Sequence, residues 1–205
     1  MRVLIACEYS GIVRDAFKAK GHDAWSCDLL PTESPGNHIQ GDVLKILNDG
    51  WDMMIGHPPC DKISYAATRF WNNPGRVFDR LKSLNFFAQL WEAPIGKICL
   101  ENPKSCASPV IAKYSQEIQP YYWGDPFMKT TWLWLKDLPL LTWSESANLF
   151  EQKTATNPPK AEYFPGGGKK YSIDILAEGV GNKDRAKARA KFWPGISNAM
   201  AEQWG

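Results

Sequence analysis

The sequence predicts an α/β fold, a mostly parallel sheet with helices on both faces and a small loop-rich insertion. Two observations predict it. Short apolar runs alternate with amphipathic stretches through the first half of the chain, as in successive βα units. Residues from about 139 to 182 then lose that periodicity and gather Pro, Gly, Asn and Ser. With 205 residues and 23.1 kDa, one core is expected, since chains divide mainly beyond roughly 250–300 residues.

The elements follow in order. Val3-Leu4-Ile5-Ala6-Cys7 is a buried-strand pattern. After Gly11, the residues Ile12, Val13, Ala16 and Phe17 fall at helical spacing, with Arg14, Asp15, Lys18 and Lys20 on the polar side and Gly21 as the stop. Ala24–Cys27 is a second strand, followed by a Pro/Gly/Ser-rich loop through Gly36. Asp52–Gly56 is a third, ended by Pro58-Pro59, and Lys97–Leu100 a fourth. Between them, Leu81, Leu84, Ala88 and Trp91 mark a helix, and Thr131–Leu135 is a fifth strand. The expected organisation is a core over 1–138, a variable region over 139–191 and a returning C-terminal segment over 192–205. Gly166-Gly167-Gly168-Lys169-Lys170 is the clearest loop.

Composition narrows the classes. The chain is 44% hydrophobic and 22% charged, which excludes disordered, collagen-like and disulfide-framework proteins. A net charge of +2 neither requires nor excludes a nucleic acid. Five cysteines and three histidines lack metal-ligand spacing, so reduced thiols, a cytoplasmic location and no metal are expected. No apolar run approaches the ~18 residues of a membrane span, and no signal-peptide cleavage pattern follows Met1.

Open parallel sheets bind ligands outside the carboxyl ends of their strands. Those positions hold Glu8-Tyr9-Ser10-Gly11, then Asp28, then His57-Pro58-Pro59-Cys60, then Glu101-Asn102-Pro103. Cys60 is either a nucleophile fixed by two prolines or a small buried hydrophobe. Cys7, Cys27, Cys99 and Cys106 suit structural positions. Glu101, beside apolar residues, is expected to have a raised pKa and donate a proton, or else to bond backbone amides. Asp28 suits a ribose-gripping acid or a turn before Pro31, and Asp42 suits an adenine contact or the cap of a helix carrying Val43, Leu44, Ile46 and Leu47.

Pro58-Pro59-Cys60, followed forty-one residues later by Glu101-Asn102, resembles the catalytic pair of the DNA cytosine-5 methyltransferases, in particular the short bacteriophage-encoded type. Ala6–Gly11 looks like that family's first cofactor loop, and Gly195-Ile196-Ser197-Asn198-Ala199-Met200 is similar to its closing motif. The resemblance covers about residues 1–136 and 192–205. It implies a Rossmann-like S-adenosylmethionine-dependent methyltransferase fold. It also implies a cofactor site at Cys7, Glu8, Tyr9, Ser10, Gly11, Asp28, Leu29, Asp42, Val43, His57, Pro58, Asn198 and Ala199. Cys60 would be the nucleophile and Glu101 the acid. The family's arginine pair is replaced by Phe127-Met128-Lys129-Thr130-Thr131, where Lys129 is the cation, a point charge without a planar fork.

The implied activity is methylation of cytosine carbon 5 in DNA by a monomer, with low sequence specificity because the variable region is short. The base must leave the stack for the chemistry to occur. Lys169, Lys170, Arg185, Lys187 and Arg189 are the candidate phosphate contacts, or a solvated face. Trp71, Tyr121, Tyr122 and Trp123 are candidates to stack on the flipped base. A free or modified pyrimidine nucleotide as substrate, an inactive DNA-binding module and a cysteine redox enzyme are the competing functions.

Overall fold

The computed structural model describes residues 1–143, 162–163, 169–170 and 192–205. Its centre is a seven-stranded sheet built from β1 (Arg2–Ala6), β2 (Asp23–Asp28), β3 (His38–Gln40), β4 (Met53–Gly56), β5 (Lys97–Asn102), β6 (Gln116–Ile118) and β7 (Thr131–Lys136). The order is β3-β2-β1-β4-β5-β7-β6. The first five are mutually parallel, and β7 runs antiparallel to both β5 and β6. This is the expected Rossmann-like α/β sheet.

Alternation along the strands sorts the core into two layers. Val3, Ile5, Met53, Ile55 and Cys99 pack on one face with Val13 and Phe17 of α1 (Ile12–Ala19). Leu4, Met54, Ile98 and Leu100 pack on the other with Phe87 and Leu90 of α2 (Arg76–Trp91). Burial on both faces is why these strands are continuous apolar runs, as parallel sheets require. After the short helix α3 (Ala107–Val110), the C-terminal helix α4 (Pro194–Trp204) packs against α1. Gly195 seats the first turn of α4 on Trp123 and Asp125. A Cβ there would lie 2.4 Å from the Trp123 carbonyl oxygen, and its N–H donates to Asp125 Oδ2 at 2.9 Å. Gly195→Ala is therefore expected to destabilise the fold by about 1–3 kcal/mol through overpacking, measured as a lowered thermal midpoint.

Several expectations are corrected. β1 ends at Ala6, because Cys7 turns to φ 58°. Arg14 is fully buried instead of lying on the polar side of α1. The strands β3 and β6, three residues each, had no apolar run to mark them. Val43–Lys45 forms a 3₁₀ turn, not a longer helix. On α2 the buried residues are Phe87 and Leu90, while Leu81 is exposed. β5 continues past Leu100, because Glu101 and Asn102 pair with Leu133 and Trp132 of β7. Lys169–Lys170 is not a loop but pairs antiparallel with Glu162–Tyr163.

Candidate active site

The carboxyl edge of the parallel strands divides into two neighbouring regions. Around β1 to β3 lie Cys7, Asp28 and Asp42. Asp28 accepts from the Leu30 N–H at 2.9 Å and Asp42 from the Leu44 N–H at 3.0 Å, one oxygen of each carboxylate being used. Both turn roles are realised, and both acids still act on the same point. Burial, then Asp28, Cys27 and Asp42, push the Cys7 thiol up to about 12. Burial, then the same two acids, push Cys27 up to about 11. Leu29 beside them is 73% exposed, and Val43 is buried.

Glu8 has a different task. Its carboxylate accepts from the Val13 N–H at 2.7 Å, the Arg14 N–H at 3.3 Å and the Ser10 hydroxyl at 3.2 Å. It thereby satisfies first-turn amides of α1 where the orphan donors and helix dipole favour an anion. Tyr9 sits in the same loop, its carbonyl accepting from the Glu33 N–H at 2.8 Å. Gly11 has φ 78°, and a Cβ there would lie 2.4 Å from an Arg14 guanidinium nitrogen. Sequence reasoning missed Arg14, whose guanidinium fastens the loop from Thr32 to Pro35 under this region.

The second region follows β4. The His57 N–H donates to the Ala6 carbonyl at 2.9 Å, and the Asn102 side chain donates to the Pro58 carbonyl at 2.8 Å. Beyond the prolines, the Cys60 carbonyl accepts from the Ile63 and Ser64 N–H groups. That turn is then stitched to the chain after Glu101. Tyr65 N–H donates to the Lys104 carbonyl at 2.9 Å, Cys106 N–H donates to the Ile63 carbonyl at 3.0 Å, and Ser64 bridges Ser105. The cysteine loop and the glutamate strand are one connected piece.

Cys60 is half-buried. Burial, then the charge of Glu101, raise its thiol above the ordinary value, and Lys129 pulls in the opposite direction. Glu101 is buried, and here the expectation is corrected. Burial raises its pKa, but the hydrogen bond from His57, the charges of Lys129 and His57 and the Thr131 hydroxyl outweigh it, leaving the carboxyl below its ordinary value. The local sequence showed only the apolar surroundings. Its partner His57 lies 44 positions away. Glu101 in the free protein is an acceptor-only carboxylate, and Cys60 is a thiol.

This arrangement makes a direct prediction. Glu101→Gln removes a negative charge acting on Cys60, so alkylation of that thiol by iodoacetamide at neutral pH is expected to quicken several-fold as thiolate becomes easier to form. Lys129→Met is expected to slow it. Peptide mass spectrometry at Cys60 reads both.

The remaining candidates are scattered. Asn198 is exposed on α4 and Ala199 is buried. Trp71 lies beneath the Arg80 guanidinium at 4.6 Å, while Tyr122 and Trp123 pack against the core, and Tyr121 stacks edge-on against Tyr122. Arg185, Lys187 and Arg189 lie outside the described residues, and for Lys169 and Lys170 only the backbone pairing is described. Among the described residues no cluster of His, Cys, Asp and Glu could hold a metal ion, and no helix is long and apolar enough to cross a membrane.

No protein-family model matches the chain, and no curated protein sequence does. Among solved structures, one from E. coli described as a "putative DNA modification methyltransferase encoded within prophage" is similar at 15% identity with a TM-score of 0.42. The match covers 66% of this chain and 46% of that one, so the chain spans less than half of that structure's length.

Proposed function

We propose that the protein methylates carbon 5 of cytosine in DNA, using S-adenosylmethionine and a covalent adduct on Cys60. The observation that carries this reading is the grouping of Cys60, Glu101 and Lys129, three groups from separate elements whose charges act on one another at the carboxyl edge. Carbon 5 of cytosine is a poor nucleophile. Addition of a sulfur to carbon 6 makes it enamine-like, provided that ring nitrogen 3 receives a proton.

The starting charge states supply that proton. Cys60 begins as a thiol and Glu101 as a carboxylate. As the sulfur bonds to carbon 6, the thiol proton passes to Glu101 and from there to ring nitrogen 3, so that S–H adds across the ring without net charge. Lys129 eases the step by favouring the thiolate. After methyl transfer, a base or water removes the carbon 5 proton, the Cys60 sulfur is expelled, and the proton on ring nitrogen 3 returns through Glu101 to that sulfur.

The neighbouring acids fit the cofactor's chemistry. Asp28 and Asp42 each keep one carboxylate oxygen beyond their turn bonds, suited to hydroxyl and amine donors, and exposed Leu29 offers an apolar surface for a flat ring. When bound there, S-adenosylmethionine supplies an electrophilic methyl group on a sulfonium. Lys169, Lys170, Arg185, Lys187 and Arg189 are the proposed phosphate contacts, making affinity fall with salt. The test is incubation of the intact protein with DNA and methyl-labelled S-adenosylmethionine, followed by hydrolysis to nucleosides. Label is expected in 5-methyldeoxycytidine. Label confined to another base, to RNA or to protein rejects the reading.

A further inference from the structure

His57 stands next to the reacting carboxyl. Its Nδ1 lies 3.2 Å from Glu101 Oε2, with the two side chains 12% and 8% exposed. A carboxylate can only accept, so Nδ1 carries the hydrogen. The Phe192 ring lies 4.7 Å from the imidazole, centroid to centroid, and the backbone N–H of His57 is tied to β1. The imidazole is thus held in place. Glu101 Oε1 is buried with no hydrogen-bond partner. His57 holds one carboxylate oxygen; the Thr131 hydroxyl also acts on the carboxyl, but it donates its proton to the Lys129 carbonyl at 3.1 Å and so leaves Oε1 open.

We propose that His57 is a positioning residue that decides which pyrimidine the site accepts, by holding Glu101 as an anion whose open oxygen, facing the edge of ring nitrogen 3 and carbon 4, takes an amino group at carbon 4 and turns away a carbonyl there. This deepens the preceding reading and rests on it. The charged group acting on the pair is Lys129, ahead of β7; the Thr131 hydroxyl of β7 also acts on Glu101, the Cys60 thiol on the loop of His57 is uncharged, and from the C-terminal segment comes the uncharged Phe192 ring. Cytosine presents an N–H to such an oxygen. Uracil presents a carbonyl and leaves two acceptors facing each other in a buried site. A site built around one hydrogen bond rejects an analogue lacking it by about 10⁴-fold. A protonated Glu101 would lose that discrimination, because its O–H can donate to the carbonyl.

The experiment compares kcat/KM on matched DNA carrying deoxycytidine or deoxyuridine, for the native protein, His57→Leu and His57→Asn. Asn retains an N–H donor near the place of Nδ1, and Leu does not. Carbon-13 NMR of the Glu101 carboxyl follows its ionisation in each protein without relying on turnover. In the native protein, Glu101 is expected to be ionised at pH 6 and cytosine strongly preferred. His57→Leu is expected to shift carboxyl protonation toward neutral pH and to erode the preference at least tenfold, with His57→Asn keeping most of it. An unchanged preference in His57→Leu, or a Glu101 resonance that titrates as in the native protein, overturns the inference and leaves the methyltransferase reading standing. A native protein that methylates neither substrate overturns both. Should His57→Leu fail to fold, His57→Asn decides: loss of the cytosine preference in that variant also overturns it.

Discussion

Under the proposed function, Cys60→Ser is expected to abolish methyl transfer to DNA, lowering kcat by roughly 10⁴-fold or more, the scale on which loss of a covalent nucleophile is felt. The replacement is nearly isosteric, and Cys60 is only half-buried, so the thermal midpoint should hardly move. What changes is chemistry. A serine hydroxyl holds its proton far more firmly than a thiol, and Glu101, a carboxylate weakened as a base by His57 and Lys129, cannot remove it. Lys129 favours an anion at this position, but one cation does not bridge that gap. The measurement is label incorporation into DNA beside a thermal melt of the same sample. Appreciable turnover by a folded Cys60→Ser protein would show that no sulfur adduct forms.

Arg14→Met is expected to give the largest loss of stability. The guanidinium is fully buried and makes six hydrogen bonds, to Asp15, Ser26, Thr32, Pro35 and twice to Ser34. Asp15 is 44% exposed, so that ion pair is screened and contributes little. The cost lies in the other acceptors, several of them left without donors inside the protein, at about 1–3 kcal/mol for each one that water cannot reach. A total near 3 kcal/mol lowers the melting temperature of a chain this size by about 6–12 °C. Arg14→Lys should not restore it, because one ammonium cannot span acceptors on four residues as a planar fork does. An unchanged melting temperature, or full rescue by lysine, would refute this account.

Arg14 also marks where reading the sequence fails. Its partners lie as far as 21 positions along the chain, and nothing local distinguishes it from the solvated Lys18. The strands β1, β4 and the first half of β5 were legible because burial on both faces writes an apolar run, and β2 was legible from Ala24, Trp25 and Cys27 despite Ser26 between them. The short β3 and β6 carry His38, Gln40, Gln116 and Glu117, and only their neighbours in the sheet make them strands. That Cys60 follows β4 was legible, whereas Glu101 proves to lie within β5 rather than after it. The direction in which Glu101 is shifted was not legible, since it depends on His57 and Lys129 arriving from β4 and from ahead of β7. The turn roles of Asp28 and Asp42 were visible from Pro31 and Val43 nearby.

The stitching of residues 63–65 to 104–106 has a mechanical consequence. Sulfur and carboxylate ride on one hydrogen-bonded unit, so neither can be displaced from the other without breaking the backbone bonds that join the two segments.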